Sequence, residues 1–159
     1  MFRHANKKEN ISELINLLSD ICKLEYSMIM NYPRLAREMK NKETQDLTEM
    51  LGTASIKHAD TAAKVLTQLG GTPVWSMAAF PDNLSLVEIF SEQLEKEKIA
   101  LKSHQRCAEL TGDSLLKHEF ISMAEEEKYH IKTVEKILTL LELEKDREAA
   151  KTSVMASIQ

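Results

Sequence analysis

Apolar residues recur along this chain at alternating steps of three and four, the spacing of one face of an α-helix. Leu14, Leu18, Ile21, Glu25, Met28, Tyr32, Leu35 and Met39 form the first such stripe. It predicts a helix starting near Asn10, with Glu13 three residues on as a capping-box partner. Pro33 falls inside the stripe, where it removes a backbone hydrogen bond and crowds the previous turn. The stripe continues in phase beyond it, which predicts one kinked helix rather than two. Leu51, Ser55, His58, Ala62, Val65 and Leu69 form a second stripe, with Asn41 as its cap. Gly70-Gly71 ends this helix and Pro73 prevents its resumption. Leu86, Phe90, Gln93, Glu97, Ala100, His104 and Cys107 form a third, opened by Ser85 with Glu88 in a capping box. Met123, Glu127, His130, Val134, Ile137 and Leu141 form the fourth, after a Gly112-Asp113 turn in which Asp113 is the cap. That helix is expected to end near Leu143, leaving residues 144–159 as a mixed tail with a short helix over residues 146–152.

The four stripes repeat. A shift of 72 residues places Glu25 on Glu97, Asn41 on Asp113, Leu51 on Met123, Ser55 on Glu127, His58 on His130, Val65 on Ile137 and Leu69 on Leu141. The same 33 residues separate Glu25 from His58 and Glu97 from His130. Two helical hairpins are therefore expected, joined by residues 70–84. Extended, that connection reaches ~50 Å, against ~42 Å for a 28-residue helix. It can climb the whole bundle, with Trp75 and Phe80 pinning it. The predicted fold is all-α: a four-helix bundle over residues 1–143 with internal pseudo-two-fold symmetry.

Composition changes this picture little. At 159 residues, with 43% hydrophobic and 29% charged, the chain suits one ordinary domain with a real core. A net charge of −4 argues against nucleic acid as the main partner. No apolar run approaches membrane-spanning length and the N-terminal residues are polar, so neither membrane nor signal peptide is expected, and the cytoplasm is the default location. Cys22 and Cys107 are expected to be free thiols, at levels ~10 Å apart along the bundle. The run Gly52-Thr53-Ala54-Ser55 is all small residues, read equally as close helix packing or as part of a site.

The chemistry lies in what interrupts the stripes. Glu25, His58, Glu97, His104, Glu127 and His130 all stand at inward positions, while no Lys or Arg does. Buried carboxylates without compensation are costly. A divalent metal would neutralise them, and carboxylates with imidazoles suit iron, manganese or zinc. A hydrogen-bonded polar layer without metal is the other reading. His4 and His118 sit off the stripes and read as surface.

The set resembles the ferritin-like superfamily, on its rubrerythrin and bacterioferritin side. The carriers are Leu24-Glu25-Tyr26, Lys57-His58-Ala59-Asp60 with the Leu69-Gly70-Gly71-Thr72-Pro73 ending, Glu97, and Glu127-Lys128-Tyr129-His130, across residues 11–142. The family places one Glu on each of two helices and Glu-x-x-His on the other two. The resemblance implies Glu25 and His58 at one metal, Glu97 and His130 at the other, and Glu127 bridging. Ser55 stands where the family has the second bridging Glu, so binding on the Glu25–His58 side is expected to weaken most. There is no Cys-x-x-Cys, hence no rubredoxin-type centre. Ile56 occupies the position of the haem-ligating Met of bacterioferritins, so haem is not expected. The short hairpins do not imply a ferritin cage. Tyr32 and His104 each follow their Glu by seven residues, two turns, and read either as outer-shell donors or as buried structural residues.

Two functions follow as expectations. One is an iron-dependent protein, expected as a homodimer, acting as a ferroxidase or on oxygen or peroxide, with a site weakened at Ser55. The other is a non-catalytic metal-binding or structural bundle whose site has degenerated.

Overall fold

The computed structural model describes residues 2–77, 79–81 and 83–156. Among these, four helices and no strands are present: α1 (Phe2–Glu38), α2 (Lys42–Gln68), α3 (Leu86–Leu110) and α4 (Ser114–Ala156). The interior helix ends follow local chemistry. Asn41 Oδ1 accepts from the Glu43 backbone N–H at 2.7 Å, capping α2. Ser85 and Glu88 form the capping box of α3, with Glu88 N–H on Ser85 Oγ at 3.3 Å and Ser85 N–H on Glu88 Oε2 at 2.8 Å. Asp113 Oδ1 accepts from the N–H groups of Leu115 and Leu116.

The end of α2 is a Schellman motif. Gly71 N–H bonds Leu66 C=O at 2.9 Å and Gly70 N–H bonds Thr67 C=O at 3.0 Å. Gly70 has φ +86°, a conformation that favours glycine, and a Cβ on Gly71 would fall 2.2 Å from Leu66 Cδ1, so that side chain would have to shift.

Both outer ends run past the sequence-based limits. α1 begins at Phe2, not near Asn10, and Glu13 lies mid-helix, where its carboxylate takes a forked pair of bonds from Arg106 at 2.7 and 3.1 Å. α4 continues through residues 144–156 as one helix, without the break expected near Leu143. No Gly or Pro stands in that stretch to stop it, and Glu148 is anchored by Lys40 at 2.6 Å. The last tail residues, 157–159, and the His4 side chain lie outside the described residues.

α1 continues through Pro33, as its unbroken stripe predicted. α2 closes on it there through Gly52, where a Cβ would lie 3.1 Å from Tyr32 Cβ and 3.4 Å from Pro33 Cδ. This settles the Gly52 part of the small-residue run in favour of close packing. α1 packs on α2 and α3, and α4 on α3 and α2.

Two apolar clusters fill the bundle. One gathers Leu14, Leu18 and Ile21 of α1, Val65 and Leu66 of α2, Cys107 of α3 and Phe120 and Met123 of α4. The other gathers Met28, Tyr32 and Leu35 of α1, Leu51 of α2, Phe90 of α3 and Ile137 and Leu141 of α4. Chain direction follows: α1 and α4 run from the first cluster to the second, α2 and α3 the opposite way. The long connection makes this possible, pinned by Trp75 edge-on to Tyr26 at 5.7 Å and by Phe80 beneath the Arg34 guanidinium at 3.7 Å. Cys22 and Cys107 are free and buried.

Candidate metal centre

Between the two apolar clusters lies one polar layer. On α1, Glu25 separates Ile21 and Cys22 from Met28; on α4, Glu127 and His130 separate Met123 from Val134. α2 contributes His58, and α3 contributes Glu97 and His104. Glu25, His58, Glu97, His104 and Glu127 are fully buried and His130 nearly so. His118 is exposed on α4, away from this layer.

The layer resolves into two groups of donor atoms. In the first, atoms of Glu25, His58, His104 and Glu127 all lie within 4.8 Å of one another; in the second, atoms of Glu97, Glu127 and His130 do so. Glu127 belongs to both and divides its oxygens between them. Its Oε1 lies 2.6 Å from His58 Nδ1 and 3.4 Å from His104 Nε2. Its Oε2 lies 3.1 Å from His130 Nδ1. Glu25 Oε1 is 3.5 Å from His58 Nδ1 and 3.7 Å from His104 Nε2, and Glu97 Oε2 is 3.6 Å from His130 Nδ1.

Partners around the layer orient it. The Tyr32 hydroxyl donates to Glu97 Oε1, so this tyrosine reaches from α1 to a carboxylate on α3. His58 turns Nδ1 into the layer and presents Nε2 to Glu126 Oε2 at 3.0 Å, and Lys57 holds the other Glu126 oxygen at 2.5 Å. Glu126 was not among the residues singled out from sequence. It stands one position off the α4 stripe and joins the site only because α2 and α4 meet, which no periodicity signals. Ser55 is buried on α2 one turn before His58.

Electrostatics follow from this crowding. Burial works against a charged His58, but the carboxylates of Glu127 and Glu25 outweigh it and push its pKa up to about 11. The same balance, with Glu127 and Glu97, raises His130 to about 9. His104 is raised too, by Glu127 and Glu25 against its burial. Burial opposes ionisation of Glu127, yet His104, His130 and His58 hold it well below the usual carboxylate range. Burial pushes Glu97 up to about 7, with the charge of Glu127 adding to it and His130 and Tyr32 opposing.

The donor set fits a metal. Both Glu25 oxygens, His58 Nδ1, Glu97 Oε2, both His104 nitrogens and Glu127 Oε1 are buried without an aligned hydrogen bond, although oppositely charged atoms crowd them. Buried polar atoms are rarely left so, and an ion is one of the few things that satisfies several at once. Two imidazoles and two carboxylates converging from four helices suit iron, manganese or zinc.

Comparison with known proteins agrees with this architecture. The ferritin-like domain model of the ferritin family matches residues 15–144. Among solved structures, the dodecameric thioferritin related to bacterioferritin from Bacteroides fragilis is 18% identical, with a TM-score of 0.69 over 86% of this chain and 90% of that one. The Desulfovibrio desulfuricans bacterioferritin, described with a diiron site, is 18% identical, with a TM-score of 0.68 over 91% and 89%. A ferritin-like diiron-carboxylate protein of Bacillus anthracis is 21% identical, with a TM-score of 0.67 over 81% and 97%. No individually curated protein matches the chain. No helix among the described residues is long and apolar enough to cross a membrane.

Proposed function

This chain belongs to the ferritin-like domain family, and from that premise we propose that it binds iron at the buried layer and oxidises it or uses it against oxygen or peroxide. The observation that carries the reading is the convergence of Glu25, His58, Glu97, His104 and Glu127 atoms, crowded together without aligned hydrogen bonds, in a layer between two apolar clusters. Glu25 and His58 would hold one ion, Glu97 and His130 the other, and Glu127, with one oxygen facing each group, would be shared. Bound iron would supply the one-electron chemistry that these side chains lack.

The protein supplies geometry and exclusion of water. Glu126 fixes His58 with Nδ1 inward, the outer-shell arrangement that orients a ligating imidazole. Tyr32 fixes Glu97 in the same way. The reading includes no haem, since Ile56 is half exposed on the surface of α2 and brings no ligand. The homodimer belongs to the same proposal; the Bacteroides relative is described as a dodecamer, so sedimentation of the purified protein distinguishes a small assembly from a shell.

The test of activity is anaerobic loading with ferrous ion followed by exposure to oxygen or peroxide, monitored as ferric absorbance. Turnover above buffer that vanishes in Glu127→Ala supports an oxidase. Stoichiometric binding without accelerated oxidation would favour the non-catalytic metal-binding bundle, the reading that Ser55 suggests.

A further inference from the structure

We propose that His104 is itself a metal ligand, so that the position built on Glu25 and His58 is a closed site of two imidazoles and two carboxylates. The inference rests on the reading that the layer holds metal, and it reverses the order of strength expected from the sequence.

The 72-residue pseudo-symmetry makes the contrast visible. Tyr32 and His104 are equivalent positions, as are Ser55 and Glu127. On one side, Tyr32 donates its hydroxyl to Glu97 and is thereby used up. On the other, both His104 ring nitrogens are buried without an aligned hydrogen bond. Its Nε2 points between Glu127 Oε1 at 3.4 Å and Glu25 Oε1 at 3.7 Å. Its ring stands edge-on to His58 at 5.3 Å, whose Nδ1 faces the same two carboxylates. For a tetrahedral ion with ~2.1 Å bonds, donors lie ~3.4 Å apart. The four imidazole-to-carboxylate separations, 2.6 to 3.7 Å, surround that value, and all four donors lie within 4.8 Å of one another. The group is thus close enough to converge on one ion.

His104 therefore replaces what Ser55 lacks. The missing carboxylate on α2 is made good by an imidazole from α3, with one less negative charge and one more nitrogen. Among the described residues, the second group gathers three carboxylate or imidazole ligands, Glu97, Glu127 and His130. Closed four-ligand sites retain their metal, whereas three-ligand sites leave a position open. The Glu25–His58–His104–Glu127 position fills first and releases its ion last, and its nitrogen content suits zinc or cobalt as well as iron.

Cobaltous ion is the probe, because its visible absorbance reports coordination number, and competition with a chromogenic chelator reports affinity. The parent protein, His104→Gln and His118→Gln, the last at an exposed α4 position away from the layer, are compared after circular dichroism confirms the helical fold. The parent is expected to take a first cobalt with intense four-coordinate bands. His104→Gln should lose that band and at least ~10-fold in first-ion affinity, the scale set even by outer-shell partners, while His118→Gln keeps both. Ser55→Glu in the His104→Gln background should recover the affinity. If His104→Gln does not fold, His104→Tyr, which copies the pseudo-symmetric Tyr32, is expected to fold and to lose the first-site band. A parent-like band and affinity in the His104 variants would overturn the ligand role while leaving metal binding intact. A parent that takes up no cobalt, zinc or ferrous ion would overturn the metal-binding reading, and this inference with it.

Discussion

The Tyr32 hydroxyl on α1 donates to Glu97 on α3, tying one hairpin of the bundle to a carboxylate of the other across the polar layer. Burial alone would keep Glu97 neutral, and this bond is one of the forces that favour its charge. Tyr32→Phe leaves the ring packed in its cluster and removes only the bond. A hydrogen bond to a charged group is worth roughly 1.5–3 kcal/mol, so urea unfolding of metal-free Tyr32→Phe at pH 8 should show a loss of about that size. A midpoint unchanged from the parent would mean that Glu97 is held by something else.

Metal-free stability should fall as pH rises above neutrality. His58 and His130 are raised from 6.5 to about 11 and about 9, so the stability they contribute is fully present below pH 6.5. It is lost as pH climbs through 9 and then 11. Glu97, raised from 4.5 to about 7, acts in the same direction over its own window, because the folded state holds its proton longer. Glu127 acts oppositely: its lowered pKa contributes stability above 4.5 that is lost on acidification. Melting temperatures in the presence of chelator should therefore decline from pH 6.5 to 9.5, and divalent metal should flatten the decline. A chelated protein that gains stability over this interval contradicts the assignment of protonated imidazoles.

How much of this was readable before the fold was known depended on distance along the chain. Asn41, Ser85 with Glu88, Asp113 and Gly70-Gly71 announced helix ends because a cap is a local contact. The inward positions of Glu25, Glu97, Glu127 and His130 were readable because a stripe is periodic. The start of α1 and the end of α4 were not, since polar residues without Gly or Pro neither begin nor stop a helix. Asn10 and Glu13 imitated a capping box, but Glu13 is used by Arg106 from another helix. Glu126 and the aim of His104 depend on how the helices are rotated against one another, which spacing within a single helix does not contain.

Gly52 illustrates two effects of opposite sign. Alanine gains ~1 kcal/mol of helix propensity over glycine. Its Cβ, however, would press 3.1 Å from Tyr32 Cβ, an atom fixed to the α1 backbone. Overpacking typically costs ~1–3 kcal/mol, so Gly52→Ala should lower the melting temperature. A stabilised variant would show that α1 and α2 can separate near Pro33 at little cost.

The two thiols should be silent in the folded protein. Cys22 and Cys107 are fully buried, and burial pushes their pKa values up to about 11 and about 12. A thiol reagent at pH 8 should label neither in the native state and both after unfolding without reductant. Fewer than two labels on the unfolded chain would contradict free cysteines.

The central claim is that the layer around Glu127 is a metal centre, and metal content tests it most directly. Protein equilibrated anaerobically with excess ferrous ion, freed of unbound metal by gel filtration, is analysed by elemental mass spectrometry beside Glu127→Ala. Because Glu127 has one oxygen in each donor group, the account predicts between one and two ions per parent chain and a clear loss in the variant. A parent chain without stoichiometric metal, or a variant that retains all of it, would contradict the account.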